Sequence, residues 1–338
     1  MLSGGYQKIT RPRKVKTLNT RNELNIGLYQ RLYLARRCEE KIVALYHEND
    51  MRTPMHMSMG SEAIAAGVCH ALKESDQIFG TYRSHAIYLA KTLDADGFFA
   101  EMYGKDTSRI KGKGGSMHLC FPQRGFMGAS AVVGNPLPVA VGAAFANKVQ
   151  KNNKIVAVFF GDGTTDAGQF WESVNVASLM KLPVLFICED NELAVHSPKS
   201  TRRGYQSISN VISQLNCHVL EENTTDAEVI YNLVTKAIQS IRIAEKPCFI
   251  TLKYYRYLQH VGIKEDFQIG YRSRAEFEEW YKIDPIKVQR EKLHNLGLSE
   301  KDVAIIEKEI DTQIGRSIEK AKKAPFCGTD ELYKGVFA

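Results

Sequence analysis

Two oxygen-bearing side chains, Asp162 and Asn191, stand 29 positions apart, each at the end of a short apolar run. Residues 155–160 (IVAVFF) form one continuous β-branched and aromatic stretch, and residues 184–188 (VLFIC) form a second. Runs of that length read as strands covered on both faces. Between them Phe170, Trp171, Val174, Ala177 and Leu179 recur at helical spacing, with Glu172 and Asn175 interspersed, and Pro183 punctuates before the second strand. Strand, helix and strand in that order make a parallel crossover, which brings the carboxyl ends of both strands to one edge of a sheet. Open α/β sheets bind ligands at that edge. Gly161 and Gly163 flank Asp162, so the backbone can turn tightly and let a phosphate come close. An acid and an amide oxygen beside such a loop suit magnesium on a phosphate group. Glu189, Asp190 and Asn191 are expected to meet solvent where the second strand ends.

Three readings of this unit compete. Gly161-Asp162-Gly163 is a plain turn in the first, with Asn191 a loop residue. In the second, GxG after a strand opens a dinucleotide fingerprint. That fingerprint needs GxGxxG, and Gly168 comes two places too late, although Asp190 stands where a ribose-binding acid is wanted. The third is the thiamine diphosphate signature: GDG, a helix, then an asparagine just under thirty residues on. Identity and spacing both fit the third.

Further motifs lie along the chain: MHMSMGSEA (55–63), TYRSHA (81–86), GKGGSMHL (112–119), and YRYLQH (255–260). With GDG and EDN they stand in one order, and in that order the chain resembles the alpha subunits of thiamine-diphosphate-dependent 2-oxo acid dehydrogenases. These are the pyruvate, branched-chain and acetoin type, and the likeness runs from about Tyr29 to the C-terminal helices. The resemblance implies an α/β thiamine-diphosphate-binding fold, a mostly parallel sheet with helices on both faces. It implies Mg²⁺ ligation by Asp162, the Asn191 side-chain oxygen and the Leu193 carbonyl. Tyr82 and Arg83 become diphosphate contacts, joined by the amides of Gly163 and Thr164. An arginine grips a phosphate through two parallel charge-assisted bonds, which a lysine cannot. His260 is implied at the diphosphate and the catalytic mouth, and Val133 as an apolar contact under the cofactor. Val133 reads as core with or without the motif, and without it His260 reads as a loop histidine. His56 and His85 lie within the motifs as residues backing the site, and Lys113, Ser116 and His118 have no derived role.

The implied activity is decarboxylation of a 2-oxo acid, with the acyl group passed to a lipoyl-bearing acyltransferase. Its alternative is a biosynthetic acyl or aldehyde transferase without a lipoyl partner. The cofactor-activating glutamate of the family comes from a beta subunit, so the resemblance implies an α₂β₂ tetramer whose alpha chain is inactive alone. One stretch departs from the pattern: Leu258-Gln259-His260-Val261 replaces His-Gly-His-Ser at the mouth, and residues 262–271 (GIKEDFQIGY) replace an Asp-Pro stretch. The resemblance places that loop at the mouth, so the departure leaves substrate choice and delivery to a lipoyl carrier open. Asp190 also stands in place of an asparagine.

The 338 residues carry 44% hydrophobic residues and a net charge of +7, enough for a sizeable core. Lys8, Arg11, Arg13, Lys14, Lys16 and Arg21 precede the first acid, Glu23, so residues 1–22 read as a basic, flexible arm. That arm has too little charge and too few aromatics for nucleic acid binding, and only a weak targeting character. Residues 23–275 read as the cofactor-binding domain, opening with a helical segment over 22–47, and residues 276–338 as a charged helical extension packing on that domain or a partner. Seven cysteines without a CxxC pair read as free thiols in a reducing compartment, with the cytoplasm the default and an organelle matrix the variant. No apolar run reaches transmembrane length.

Overall fold

A computed structural model describes residues 20–335. The basic arm therefore lies, up to residue 19, outside the described residues. The strands are β1 (Gln77–Thr81), β2 (Phe126–Ser130), β3 (Val156–Gly161), β4 (Val184–Asp190), the short β5 (Leu193–Ala194) and β6 (Ser197–Pro198), β7 (His218–Glu222) and β8 (Cys248–Lys253). Six of them pair in the order β2-β1-β3-β4-β8-β7, every pairing parallel, while β5 and β6 form a separate antiparallel ribbon. The α/β fold expected from the sequence is present.

The chain leaves β1 outward to β2 and then returns to β3 on the other side of β1. Connections diverge there, and the carboxyl ends of β1 and β3 open a crevice, the usual ligand position in such sheets. Register carries the crevice across two more strands. Gly161 lies opposite Glu189, and Asp190 opposite Lys253, so Asp162, Asn191 and Tyr254 follow their strands to one edge.

Helices cover both faces. On one side are α1 (Thr20–Leu45), α2 (Glu62–Ala71), α3 (His85–Thr92) and α4 (Ala95–Met102); on the other lie α5 (Pro136–Gln150), α6 (Gly168–Leu179) and α7 (Ile208–Ile212). Strand parity splits the apolar runs between two cores. Ala157, Phe159, Leu185, Ile187 and Ile250 join the α1–α4 side, whereas Val156, Val158, Phe160, Val184, Phe186 and Phe249 join Leu137, Phe170, Val174 and Ile212. The first core also takes in α8 (Ala227–Ala244) and, beyond α9 (Arg274–Lys282), α10 (Pro285–Asn295) and α11 (Glu300–Lys323) through Ile230, Leu293, Ile306 and Ile314. Thus α11 packs on α1 and α4.

Arg36 ties this layer together. Its Nε donates to Glu62 at 2.5 Å and its Nη2 to Asp284 at 2.9 Å, both acids being buried. No described helix is long and apolar enough to cross a membrane.

Candidate active site

The expected metal donors meet at the carboxyl edge. Asp162 follows β3 and is buried; Asn191 follows β4. The Asn191 amide is pinned at both ends: its Oδ1 accepts the Leu193 N–H at 3.0 Å and its Nδ2 donates to the Tyr254 hydroxyl at 2.9 Å. Glu192 takes a left-handed φ of 67°, which doubles the chain back into β5 and sets Leu193 at the cavity wall. Val195 has φ 56°, a strained value for a β-branched residue, and its carbonyl faces the Arg256 guanidinium at 3.4 Å. Gly161 and Gly163 are not left-handed. What Gly163 supplies is space, since a Cβ there would lie 2.8 Å from the Ala194 Cβ. The glycine is a packing requirement between the Asp162 loop and β5.

Arg83, just beyond β1, is buried and donates from Nη1 to the Met57 carbonyl at 2.7 Å and from Nη2 to the His260 carbonyl at 2.9 Å. The His260 Nδ1 lies 3.4 Å from both Arg83 and Arg256. Guanidinium groups only donate, so Nδ1 is the acceptor and the ring proton sits on Nε2. Burial, with help from those two cations, brings His260 down to about 3. Burial does the same to His56, whose ring packs 4.5 Å from Tyr82 and 5.5 Å from His260. Both imidazoles are neutral at neutral pH. Arg256 is itself fixed by the mouth loop: Nε donates to the Leu258 carbonyl at 3.0 Å and Nη2 to the Tyr271 hydroxyl at 2.5 Å. Arg272 pairs with the fully buried Asp266 at 2.5 Å and locks that loop from behind.

Tyr82, Arg83, Val133, Asp162, Gly163, Thr164, Asn191, Leu193 and His260, all singled out from the sequence, line one cavity of about 130 Å³. His85 is elsewhere, buried between Glu39 (2.9 Å) and Ser116 (2.7 Å), where it anchors the 112–119 loop. Three expectations fail. Val133 is 47% exposed and not core, because it sits at the cavity rim. Leu179, placed on the apolar side of its helix, is 77% exposed. Glu189 and Asp190 do not meet solvent: both are buried, because β4 runs on to Asp190 between β3 and β8.

Glu189, Tyr254 and Arg256 also line the cavity and were missed. Arg256 stands inside the quoted YRYLQH motif, so its signal was present. Burial pushes Glu189 up to about 8 despite the opposing Arg83 charge, so its carboxyl is protonated at neutral pH. Burial and the neighbouring Asp190 raise Asp162 above the ordinary carboxylate range, and Arg202 and Lys199 oppose that rise. Among the described residues no three His, Cys, Asp or Glu side chains converge on a metal position. One carboxylate, one oriented amide oxygen and one main-chain carbonyl fit Mg²⁺ completed by phosphate oxygens and water.

The family model described as "Dehydrogenase E1 component" matches residues 30–329. The chain is 31% identical to the pyruvate dehydrogenase E1 component subunit alpha of Porphyra purpurea, over 97% of this chain and 98% of the relative. It is likewise 31% identical to the Rhizobium meliloti pyruvate dehydrogenase E1 component subunit alpha, over 93% of this chain and 90% of the relative. It shares 31% identity with the alpha subunit of the acetoin:2,6-dichlorophenolindophenol oxidoreductase of Bacillus subtilis, over 96% of each.

Proposed function

The chain belongs to the dehydrogenase E1 component family, as an alpha subunit of the thiamine-dependent 2-oxo acid dehydrogenases, and from that premise we propose how its own residues serve the reaction. Asp162, the Asn191 Oδ1 and the Leu193 carbonyl hold Mg²⁺. Arg83, Tyr82 and the amides of Gly163 and Thr164 bind the diphosphate, and Val133 touches the cofactor's apolar part. When bound, thiamine diphosphate supplies the electron sink that lets a 2-oxo acid lose carbon dioxide. His260 stays neutral and presents its Nε2 proton, because Arg83 and Arg256 occupy Nδ1. It can therefore hold a proton at Nε2 for an oxyanion at the mouth. Arg83 and Arg256 give the cavity two cations against the anionic ligand. One observation carries this reading: nine residues drawn from separate motifs line a single cavity at the switch point of the sheet.

The site is completed by a beta subunit in an α₂β₂ tetramer. Two observations support that. The cavity holds about 130 Å³, against roughly 300–1,000 Å³ for ordinary small-molecule pockets. Val139, Phe145 and Val149 on α5 and Val176 and Leu179 on α6, two helices packed on each other, are exposed, and the exposed Val132, Val133 and Met180 flank them. Surfaces of that kind mark interfaces. The acyl group passes to a lipoyl carrier. Seven unbridged cysteines support a reducing compartment, the cytoplasm or an organelle matrix.

Asp162→Ala is expected to abolish Mg²⁺-dependent thiamine diphosphate binding in calorimetry, with the circular dichroism spectrum retained. Unchanged cofactor affinity refutes the metal assignment. Full decarboxylation by the purified chain alone refutes the two-subunit site.

A further inference from the structure

Three acids at the candidate metal edge, Asp162, Asp166 and Asp190, are met by cations from one short segment, residues 199–203. Arg202 donates from Nη2 to the Asp162 Oδ2 at 2.7 Å and also pairs with Asp166. Arg203 donates from Nη2 to the Asp162 main-chain carbonyl at 2.7 Å and lies 2.9 Å from the Thr165 hydroxyl. Lys199 pairs with Asp190. The Arg202 side chain is 12% exposed, so its bond to Asp162 is largely shielded from water. The segment folds back on the ribbon that carries Leu193: the Lys199 N–H donates to the Glu192 carbonyl at 3.2 Å, and the Arg202 Nε to the Ser197 carbonyl at 3.1 Å.

We propose that Arg202 is a built-in counter-ion that holds the Asp162 carboxylate until a divalent cation replaces it, so that metal loading releases the 199–203 segment. This rests on the reading of Asp162 as a metal ligand. A buried carboxylate with an acidic neighbour needs a cation, and the chain carries its own. A metal ion at the Asp162 carboxylate competes with the guanidinium for Oδ2, and its two positive charges repel the Arg202 cation. The apparent metal affinity is then reduced by the fraction of molecules in which Asp162 is free. Arg203 grips main chain and hydroxyl, its nearest approach to the Asp162 carboxylate being 3.7 Å, so its loss leaves that competition in place.

The chain purified together with its beta subunit is titrated with Mn²⁺ in the presence of inorganic pyrophosphate, free Mn²⁺ being read by electron paramagnetic resonance. Arg202→Gln is expected to tighten Mn²⁺ binding about tenfold, equivalent to about 1.4 kcal/mol. Arg203→Gln removes the same charge and is expected to change affinity little. Mn²⁺ and pyrophosphate are also expected to speed tryptic cleavage within 199–203 of the wild-type chain. Wild-type affinity in Arg202→Gln, equal tightening in Arg203→Gln, or metal-independent cleavage each overturns the proposal while leaving the metal site standing. Failure of the wild-type chain and both variants alike to bind Mn²⁺ with pyrophosphate removes the metal site and the counter-ion together.

Discussion

Gly163→Ala isolates the contribution of one hydrogen-sized gap to the metal edge. The added methyl lies 2.8 Å from the Ala194 Cβ and 3.4 Å from its Cα. Two carbons prefer a separation of about 3.5–4.0 Å, so β5 must retreat by roughly 1 Å. Overpacking of this kind costs about 1–3 kcal/mol of stability. The retreat moves Leu193, the neighbour of Ala194 and the proposed source of the carbonyl ligand, while Asp162, directly after β3, stays in place. Mg²⁺ demands near-ideal octahedral geometry, and a ligand displaced by more than about 0.2 Å leaves its accepted range. The expected loss is therefore larger in binding than in folding, at least about tenfold in Mg²⁺-dependent cofactor affinity, comparable to losing an orienting partner. Calorimetric titration with thiamine diphosphate and Mg²⁺, paired with a urea melt, separates the two. Gly161→Ala is the control for stability, because its methyl would meet no protein atom within 4 Å. If Gly163→Ala binds cofactor and metal like wild type, β5 does not carry a ligand and the geometric argument fails.

Tyr254→Phe removes the hydroxyl that holds the Asn191 amide at 2.9 Å; Mg²⁺ affinity is expected to fall about 10-fold or more with little loss of stability, and an unchanged titration rules out the orienting role. Arg36→Met leaves Glu62 and Asp284 buried without their shared cation; a loss of about 3–5 kcal/mol is expected in urea melts, and a loss below about 1 kcal/mol would mean that water reaches the pair. His56 and His260 fall in the folded chain from an ordinary 6.5 to about 3. The unfolded chain binds those protons first, so stability declines as pH drops below about 6.5 towards 3; His260→Gln is expected to flatten that acid limb. Glu189 has the opposite sign, raised from 4.5 to about 8: its contribution is full below 4.5 and is lost as pH rises through 8. Glu189→Gln is expected to flatten the alkaline limb of the same urea midpoints, and unaltered limbs in both variants refute the two assignments.

Local sequence determined much of this protein. The interior strands β3, β4 and β8 are apolar runs because helices cover them on both sides, and that coverage writes itself into composition, whereas β1 (QIFGT) shows it only in Ile78 and Phe79. The edge strands β2 and β7, sequences FMGAS and HVLEE, are partly exposed and carry no such run, so nothing local announced them. Asp162 and Asn191 were legible because one crossover fixes both their spacing and the edge they reach. Tyr82, Arg83 and His260 were legible only through the order of their motifs. Tertiary structure alone decided the rest. A strand's last residues face a cavity or a core according to the register of its neighbours, which is why Glu189 and Tyr254 surfaced only once β3, β4 and β8 were aligned. Likewise no local signal says that Arg202 returns across 40 positions to Asp162. Charge pairing at that separation depends on where the whole chain brings its segments, and the sequence holds that information only in the sum of its packing.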